Sequence, residues 1–249
     1  RMLGVMAACL VACLTISSGA VTAQPVTGWG TLKGRIVFDG QPPAPEPLDI
    51  TRDQEVCGEL KLVDESLVVH PENRGIRHVA VWLDSRDAVP VHPDLMAFPE
   101  MLTVLDNRQC RFEPRMVAVR TGQVMALKNS DPIAHNAAVF ARRNQPFSEI
   151  IPFDQPLQKK FARAETLPVR VDCSIHAWMK AWIIILDHPC VAVTGPDGRF
   201  EIRNIPAGDW KFHFWHERPG NLLQLRQGDS MVALDKGQWS ITIHPDGEH

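Results

Sequence analysis

Four side chains carry the chemistry that this sequence can do. In Val171-Asp172-Cys173-Ser174-Ile175-His176-Ala177-Trp178-Met179, a thiol, an imidazole and a thioether fall within the seven residues from Cys173 to Met179. Thiolate and thioether are soft ligands, and imidazole suits copper. A trigonal site of two His and one Cys, with a long axial Met, marks an electron-transfer copper centre. The stretch holds one His, so a second must come from elsewhere. The candidate is His135, in Asn129-Ser130-Asp131-Pro132-Ile133-Ala134-His135-Asn136. Each residue alone has a plainer reading: His135 as a loop histidine, Met179 as core filler, Cys173 as half of a disulfide. Zinc is the chemical rival, through Cys173, His176, His135 and a fourth ligand, but Met is a poor zinc ligand.

This pair of segments resembles the cupredoxins, the plastocyanin- and amicyanin-like blue copper domains. In that family a His-Asn pair ends a loop that opens with Asn; here His135 and Asn136 stand there, with Asn129 at the opening. A later loop carries C-x-x-H followed by Met, matched by Cys173, His176 and Met179. The two residues between His176 and Met179 make a short loop of the amicyanin type. The resemblance covers roughly residues 102–187. It implies one type 1 copper ion on His135, Cys173, His176 and Met179, with Asn136 and Asn129 tying the two loops together from behind. It also implies electron exit through His176 beneath an apolar docking patch, for which Ile133, Ala134, Ile175 and Trp178 are the candidates.

The elements that must position these residues read as short strands. Lys180 to Leu186 is a strand directly after the Met. Val169 to Val171 leads into Cys173. Leu102–Leu105, Met116–Val119 and Val124–Leu127 are strand-like, with Thr121-Gly122 as a turn. Thr31–Phe38 ends at Asp39-Gly40, Gln41–Pro47 is too proline-rich for a central strand, and Ser66–Val69 and His78–Leu83 are further strand candidates. Ser85–Pro99 reads as a connection and Phe147–Phe161 as loop plus one strand. No convincing amphipathic helix is present, so the expected class is all-β.

After Pro189 the text changes. Val191 to Ile202 is strand, turn, strand; Asn204-Ile205-Pro206-Ala207-Gly208 is a second turn; Trp210–Trp215 is a third strand. This resembles the second half of carboxypeptidase regulatory-like domains, and Gly34-Arg35-Ile36-Val37-Phe38-Asp39-Gly40 looks like their opening. The expected architecture is a cupredoxin-type Greek-key β-sandwich with an additional regulatory-like β-sandwich. The expected divisions are a signal peptide at 1–23, an N-terminal β segment at 24–99, a cupredoxin domain at 100–188 and a C-terminal β segment at 189–249. The tail from Asn221 to Ile243 is expected to add two strands. His213 and His216 read as structural or surface residues.

Met2 to Ile16 is apolar, and Val21-Thr22-Ala23 before Gln24 fits a small-residue cleavage site, so residues 1–23 read as a secretory signal. The alternative is a lipid anchor through Cys13, because Leu10-Val11-Ala12-Cys13 resembles a lipobox. Either way the mature chain is expected in the periplasm or outside the cell, without a transmembrane segment. Export permits disulfides. With Cys9 and Cys13 in the signal, four cysteines remain. Cys57–Cys110 is one possible bridge, with Cys190 left as a buried thiol; a Cys173–Cys190 bridge would abolish the metal site, and sequence does not fix connectivity.

The net charge of −3 and the lack of a basic tract argue against nucleic acid as a partner. The sequence has no His-x-His or His-Cys-His cluster of the multicopper oxidases and no second Cys near Cys173 for a dinuclear thiolate centre. The expected function is therefore a non-enzymatic one: a copper protein carrying single electrons between redox protein partners. The alternative is a copper-binding, storage or structural adhesion module without redox turnover.

Overall fold

The computed structural model describes residues 27–249. The expected signal segment, with Cys9 and Cys13, lies outside the described residues.

The strands that flank the candidate ligands belong to a sandwich of two sheets. A five-stranded sheet runs in the order Met116–Arg120, Lys180–Leu186, Val169–Asp172, His135–Val139, Phe147–Ile151. A four-stranded sheet runs Arg111–Glu113, Thr103–Arg108, Met125–Asn129, Leu157–Lys159. One parallel pair sits in each sheet, Lys180–Leu186 with Met116–Arg120 and Thr103–Arg108 with Met125–Asn129; the remaining pairings are antiparallel. Parallel neighbours require crossovers, and these pass between the sheets, giving the Greek-key sandwich that the cupredoxin resemblance implies.

Alternation explains the core. Val117, Val119, Ala181, Ile183 and Ile185 point inward and meet Leu105, Phe112, Met125 and Leu127 from the facing sheet. Met116, Ile184 and Leu186 point the other way, yet are buried as well. They form a second apolar layer with Ala80, Trp82 and Trp215. A strand covered on both faces reads as an unbroken apolar run, which is why Trp182-Ile183-Ile184-Ile185-Leu186 does not alternate.

That second layer is the seam to another sandwich. Its main sheet orders Val191–Val193, Ala80–Leu83, Gly208–His216 and Gly220–Asn221, with Gln238–Ile243 also on Gly208–His216. Trp29–Arg35 pairs antiparallel with Arg199–Pro206 across from it, enclosing Leu32, Val81, Phe200, Ile202, Phe212 and Phe214. Strands from before residue 103 thus pair with strands from after residue 186. At the seam, the Arg115 guanidinium lies bidentate on the Glu217 carboxylate at 2.5 and 2.9 Å, and the Trp182 indole N–H donates to the same carboxylate at 3.2 Å.

Residues 46–65 form a strap over the first sandwich. Its ends pair through Leu48 N–H to Leu62 C=O at 2.9 Å and Asp64 N–H to Glu46 C=O at 2.8 Å. Between them lie a four-residue helix, Gln54–Cys57, and a 3-10 turn, Gly58–Leu60. Cys57 is disulfide-bonded to Cys110, and Leu48, Ile50, Val56 and Leu62 pack around the bridge.

Three local expectations change. Residues 147–161 hold two strands, Phe147–Ile151 and Leu157–Lys159, not one, because the second pairs with Met125–Asn129 in the facing sheet. Ser66–Val69 is not a strand; the Asp64 carboxylate accepts both the Ser66 N–H and its hydroxyl at 2.7 Å, a local turn that competes with pairing. The tail adds three strands, not two, because Gly228-Asp229 turns Gln224–Gln227 back onto Ser230–Ala233. Among the described residues, no helix is long and apolar enough to cross a membrane.

Candidate metal centre

Two loops at one end of the first sandwich meet here. The Asn129–His135 loop is closed by its own first residue. Asn129 donates from its side chain to the carbonyls of Ile133 (2.9 Å) and Ile151 (3.2 Å), and accepts from the Asp131 N–H at 3.1 Å. The chain then enters the strand His135–Val139 with His135 pointing into the sandwich, fully buried. The second loop leaves the strand Val169–Asp172 at Cys173. It is closed by Cys173 N–H to Met179 C=O at 3.2 Å and Met179 N–H to His176 C=O at 2.9 Å. That curl returns His176 to within 3.8 Å of the Cys173 sulfur, Nδ1 to Sγ.

Asn136 joins the loops. Its side-chain oxygen accepts from the Ser174 N–H at 2.7 Å and from the Cys173 thiol at 3.3 Å. Its amide donates to the hydroxyls of Ser148 and Ser174.

The result is a buried group of three donors, His135, Cys173 and His176, with one ligand atom from each lying within 4.8 Å of the others. Met179 is buried in the same core cluster as Cys173. The two imidazoles face each other through Nδ1 at 3.0 Å. Each outer nitrogen meets a carboxylate: His135 Nε2 lies 3.0 Å from Asp131 Oδ2, and His176 Nε2 lies 2.7 Å from Asp53 Oδ2. A carboxylate only accepts, so both Nε2 atoms carry their hydrogens and both Nδ1 lone pairs converge. Two lone pairs at that separation repel unless a cation or a proton lies between them. This donor set, two imidazole nitrogens and a thiolate, with the Met179 thioether buried in the same core cluster as Cys173, fits copper.

The electrostatics favour deprotonated sulfur. Burial alone would raise the Cys173 thiol; contact with His135 and the backbone N–H groups of Asn136, His176 and Ile175 outweigh it and bring it down to about 6. For His135, burial opposes the charged form, but the bonds to Asp131 and Cys173 prevail and its pKa is raised. Burial likewise opposes the Asp131 carboxylate, while His135 and the N–H groups of Cys110 and Gln109 hold it below the usual carboxylate range. Cys190 is free and buried in the core of the other sandwich, its thiol pushed up to about 12 by burial. His213 is buried too, stacked on Trp82 at 4.3 Å and bonded to Asn221 and Asp84.

The candidate docking patch does not lie open. His176 is fully buried. Ile133 and Trp178 pack against the Cys57–Cys110 cluster, and the Trp178 indole donates to the Cys110 carbonyl at 3.1 Å. Ala134 is exposed and Ile175 half-buried. The reason is physical: the strap's own apolar residues, Leu48, Ile50, Val56 and Leu62, need a surface to bury, and that surface is this one. Asp53 and Asp131 went unseen in the sequence. Asp131 had a signal, a carboxylate four residues before His135. Asp53 had none, being 123 residues from His176.

No protein-family model matches this chain, and no curated protein matches it. Among solved structures, the chain is similar to the Cu-containing nitrite reductase NirK from Thermus scotoductus SA-01, at 20% identity over 39% of this chain and 25% of that one, TM-score 0.32. The chain thus spans about a quarter of that protein's length. It is also similar to amicyanin from Paracoccus versutus, at 19% identity over 42% of this chain and 96% of that one, TM-score 0.31. A third similarity is to the novel purple cupredoxin from Nitrosopumilus maritimus, at 14% identity over 33% of this chain and 98% of that one, TM-score 0.28.

Proposed function

We propose that this chain is an exported, mononuclear type 1 copper protein that carries single electrons between redox protein partners and performs no catalysis of its own. The observation that carries the reading is the convergence of His135 Nδ1, His176 Nδ1 and the Cys173 sulfur in a buried pocket, with both outer nitrogens tied to carboxylates. The residues that would hold the ion are His135, Cys173 and His176, with Met179 as the weak axial donor. Bound there, copper supplies a one-electron couple. The chain supplies the frame. Asn136 locks the two loops together, Asn129 closes the first loop, and the sandwich core holds Cys173 and Met179. Ligands fixed by such bonds before the ion arrives let both oxidation states share one geometry, which limits reorganisation. Export is supported by the apolar run Met2–Ile16 and the small residues before Gln24. The division into a first sandwich at 100–188, flanked by regulatory-like segments, accords with the strand pairing across it.

One observation favours the alternative of a copper-binding or storage module: His176, the expected electron exit, is fully covered. One experiment separates the two. The purified protein is titrated with Cu(II), reduced and reoxidised while its visible spectrum is followed. An intense thiolate-to-copper band that bleaches and returns supports the carrier. A band that does not return after reduction supports storage. No band, with Cys173 in a disulfide or on zinc, defeats the copper reading.

A further inference from the structure

The strap that covers His176 reaches that histidine directly through Asp53, and reaches His135 through the Cys57–Cys110 disulfide and Asp131. Asp53 sits at the start of the short helix with a left-handed backbone, φ +49°, a conformation that Asp accepts better than most residues. Its carbonyl accepts from the N–H groups of Val56 (3.0 Å) and Cys57 (2.8 Å), which turns its side chain toward His176. Cys57 is bonded to Cys110. Cys110 donates its N–H to Asp131 Oδ2 at 2.8 Å, Gln109 donates to Oδ1 at 2.6 Å, and Asp131 Oδ2 in turn faces His135 Nε2. Cys110 also fixes Trp178 through its carbonyl, and the Trp178 ring lies 5.0 Å from the His176 ring. One end of the Cys57–Cys110 bridge therefore holds the Asp131 carboxylate, and the other holds the backbone of Asp53, from which its carboxylate reaches His176.

We propose that Asp53 and Asp131 are paired positioning residues of the metal site, held on the outer nitrogens of His176 and His135 by the Cys57–Cys110 bridge, and that the strap makes His176 an inward ligand. The proposal rests on the copper reading above. Each carboxylate fixes the tautomer and ring angle of its histidine and makes Nδ1 a stronger donor. Each also places a negative charge just behind the ligand shell, where it favours the more highly charged oxidation state. The pair thus lowers the reduction potential, and the strap keeps small external ligands from His176.

The test is a redox titration of the copper-loaded protein and its variants, followed at the thiolate band. Asp53→Asn keeps the shape and an acceptor oxygen but removes the charge. It should lower the Cu(II)-to-Cu(I) affinity ratio about tenfold, an upward shift of about 59 mV for one electron. Asp131→Asn should move it in the same direction. Asp53→Glu should restore most of the wild-type value, which a purely structural role would not do. The double variant Cys57→Ala, Cys110→Ala should reproduce the Asp53→Asn shift and let added imidazole perturb the band, to which the wild type is inert. Should the double variant fail to fold, the Asp53 variants on the exposed strap carry the test alone. A wild type with the band and a reversible couple, but a ratio changed less than twofold by Asp53→Asn, overturns the proposal and leaves the copper reading standing. A wild type without the band defeats that reading and takes the proposal with it.

Discussion

Asn136 Oδ1 accepts the Ser174 N–H at 2.7 Å, so the two loops that carry the proposed metal ligands are fastened by a single side chain from the residue next to His135. In Asn136→Ala the Ser174 N–H and the Cys173 thiol both lose that acceptor. The expected cost is about 1–3 kcal/mol of stability, the penalty for an unpaired buried donor. Metal affinity should fall by about 10–100-fold. Thermal unfolding of the metal-free protein measures the first effect and chelator competition the second. A variant with unchanged affinity would show that the sandwich, and not this bond, sets the spacing of Cys173 and His135.

Met179 is almost wholly buried beside Cys173 in the core. Leucine has nearly its volume, so Met179→Leu should cost less than about 1.5 kcal/mol. Copper should stay bound, because a thioether at the axial position is a weak donor. Losing that donor removes electron density that Cu(II) needs more than Cu(I). The potential should therefore rise, by an amount on the order of a tenfold change in the affinity ratio, about 59 mV. The redox titration checks this, and an unmoved potential would assign the axial position to another group.

Arg115 and Glu217 form a buried bidentate pair between the two sandwiches, at 10% and 6% side-chain exposure. Removing one partner leaves the other charge buried without a counter-ion. Arg115→Ala should cost about 3–5 kcal/mol in chemical denaturation. The double variant Arg115→Met, Glu217→Leu should recover most of that loss, since apolar replacement of a buried pair is often neutral. A loss under about 1 kcal/mol in Arg115→Ala would mean that the seam opens to water.

The contrast between what was readable and what was not follows sequence distance. Cys173, His176 and Met179 lie on one loop, so their donor types and spacing speak directly. His135 could be picked out because Asn136 follows it and Asn129 opens its loop. The strand Lys180–Leu186 was visible as an unbroken apolar run, since both of its faces are covered. The strap was not visible. Leu48, Ile50, Val56 and Leu62 have neither a strand nor a helix period, and only the Cys57–Cys110 bridge and the surface of the first sandwich give them a common core. Asp53 reaches His176 through that tertiary contact alone. Because it covers the expected docking patch, an inference made from the two ligand loops by themselves left the patch open.

His78 yields a pH dependence of the opposite kind to that of an ion-paired histidine. It is buried beside the seam, and burial first, then Arg77, Arg115 and the neighbouring His216, brings its pKa from 6.5 down to about 3. His188 and His216 are lowered in the same way, with burial as the first cause. Between those two pKa values the unfolded chain binds a proton at His78 that the folded chain refuses. Stability therefore rises with pH across that window. The contribution of His78 is fully present above pH 6.5 and is lost as pH falls from about 6.5 to about 3. At 1.36 kcal/mol per unit, the loss is at most on the order of 5 kcal/mol. His78→Phe should flatten the fall over this window, because a phenyl ring occupies the site without taking up a proton. Denaturant titrations of the metal-free protein at pH 7.5, 5.5 and 4.5 would measure it. An equally steep fall in the wild type and His78→Phe would move the acid sensitivity to other groups.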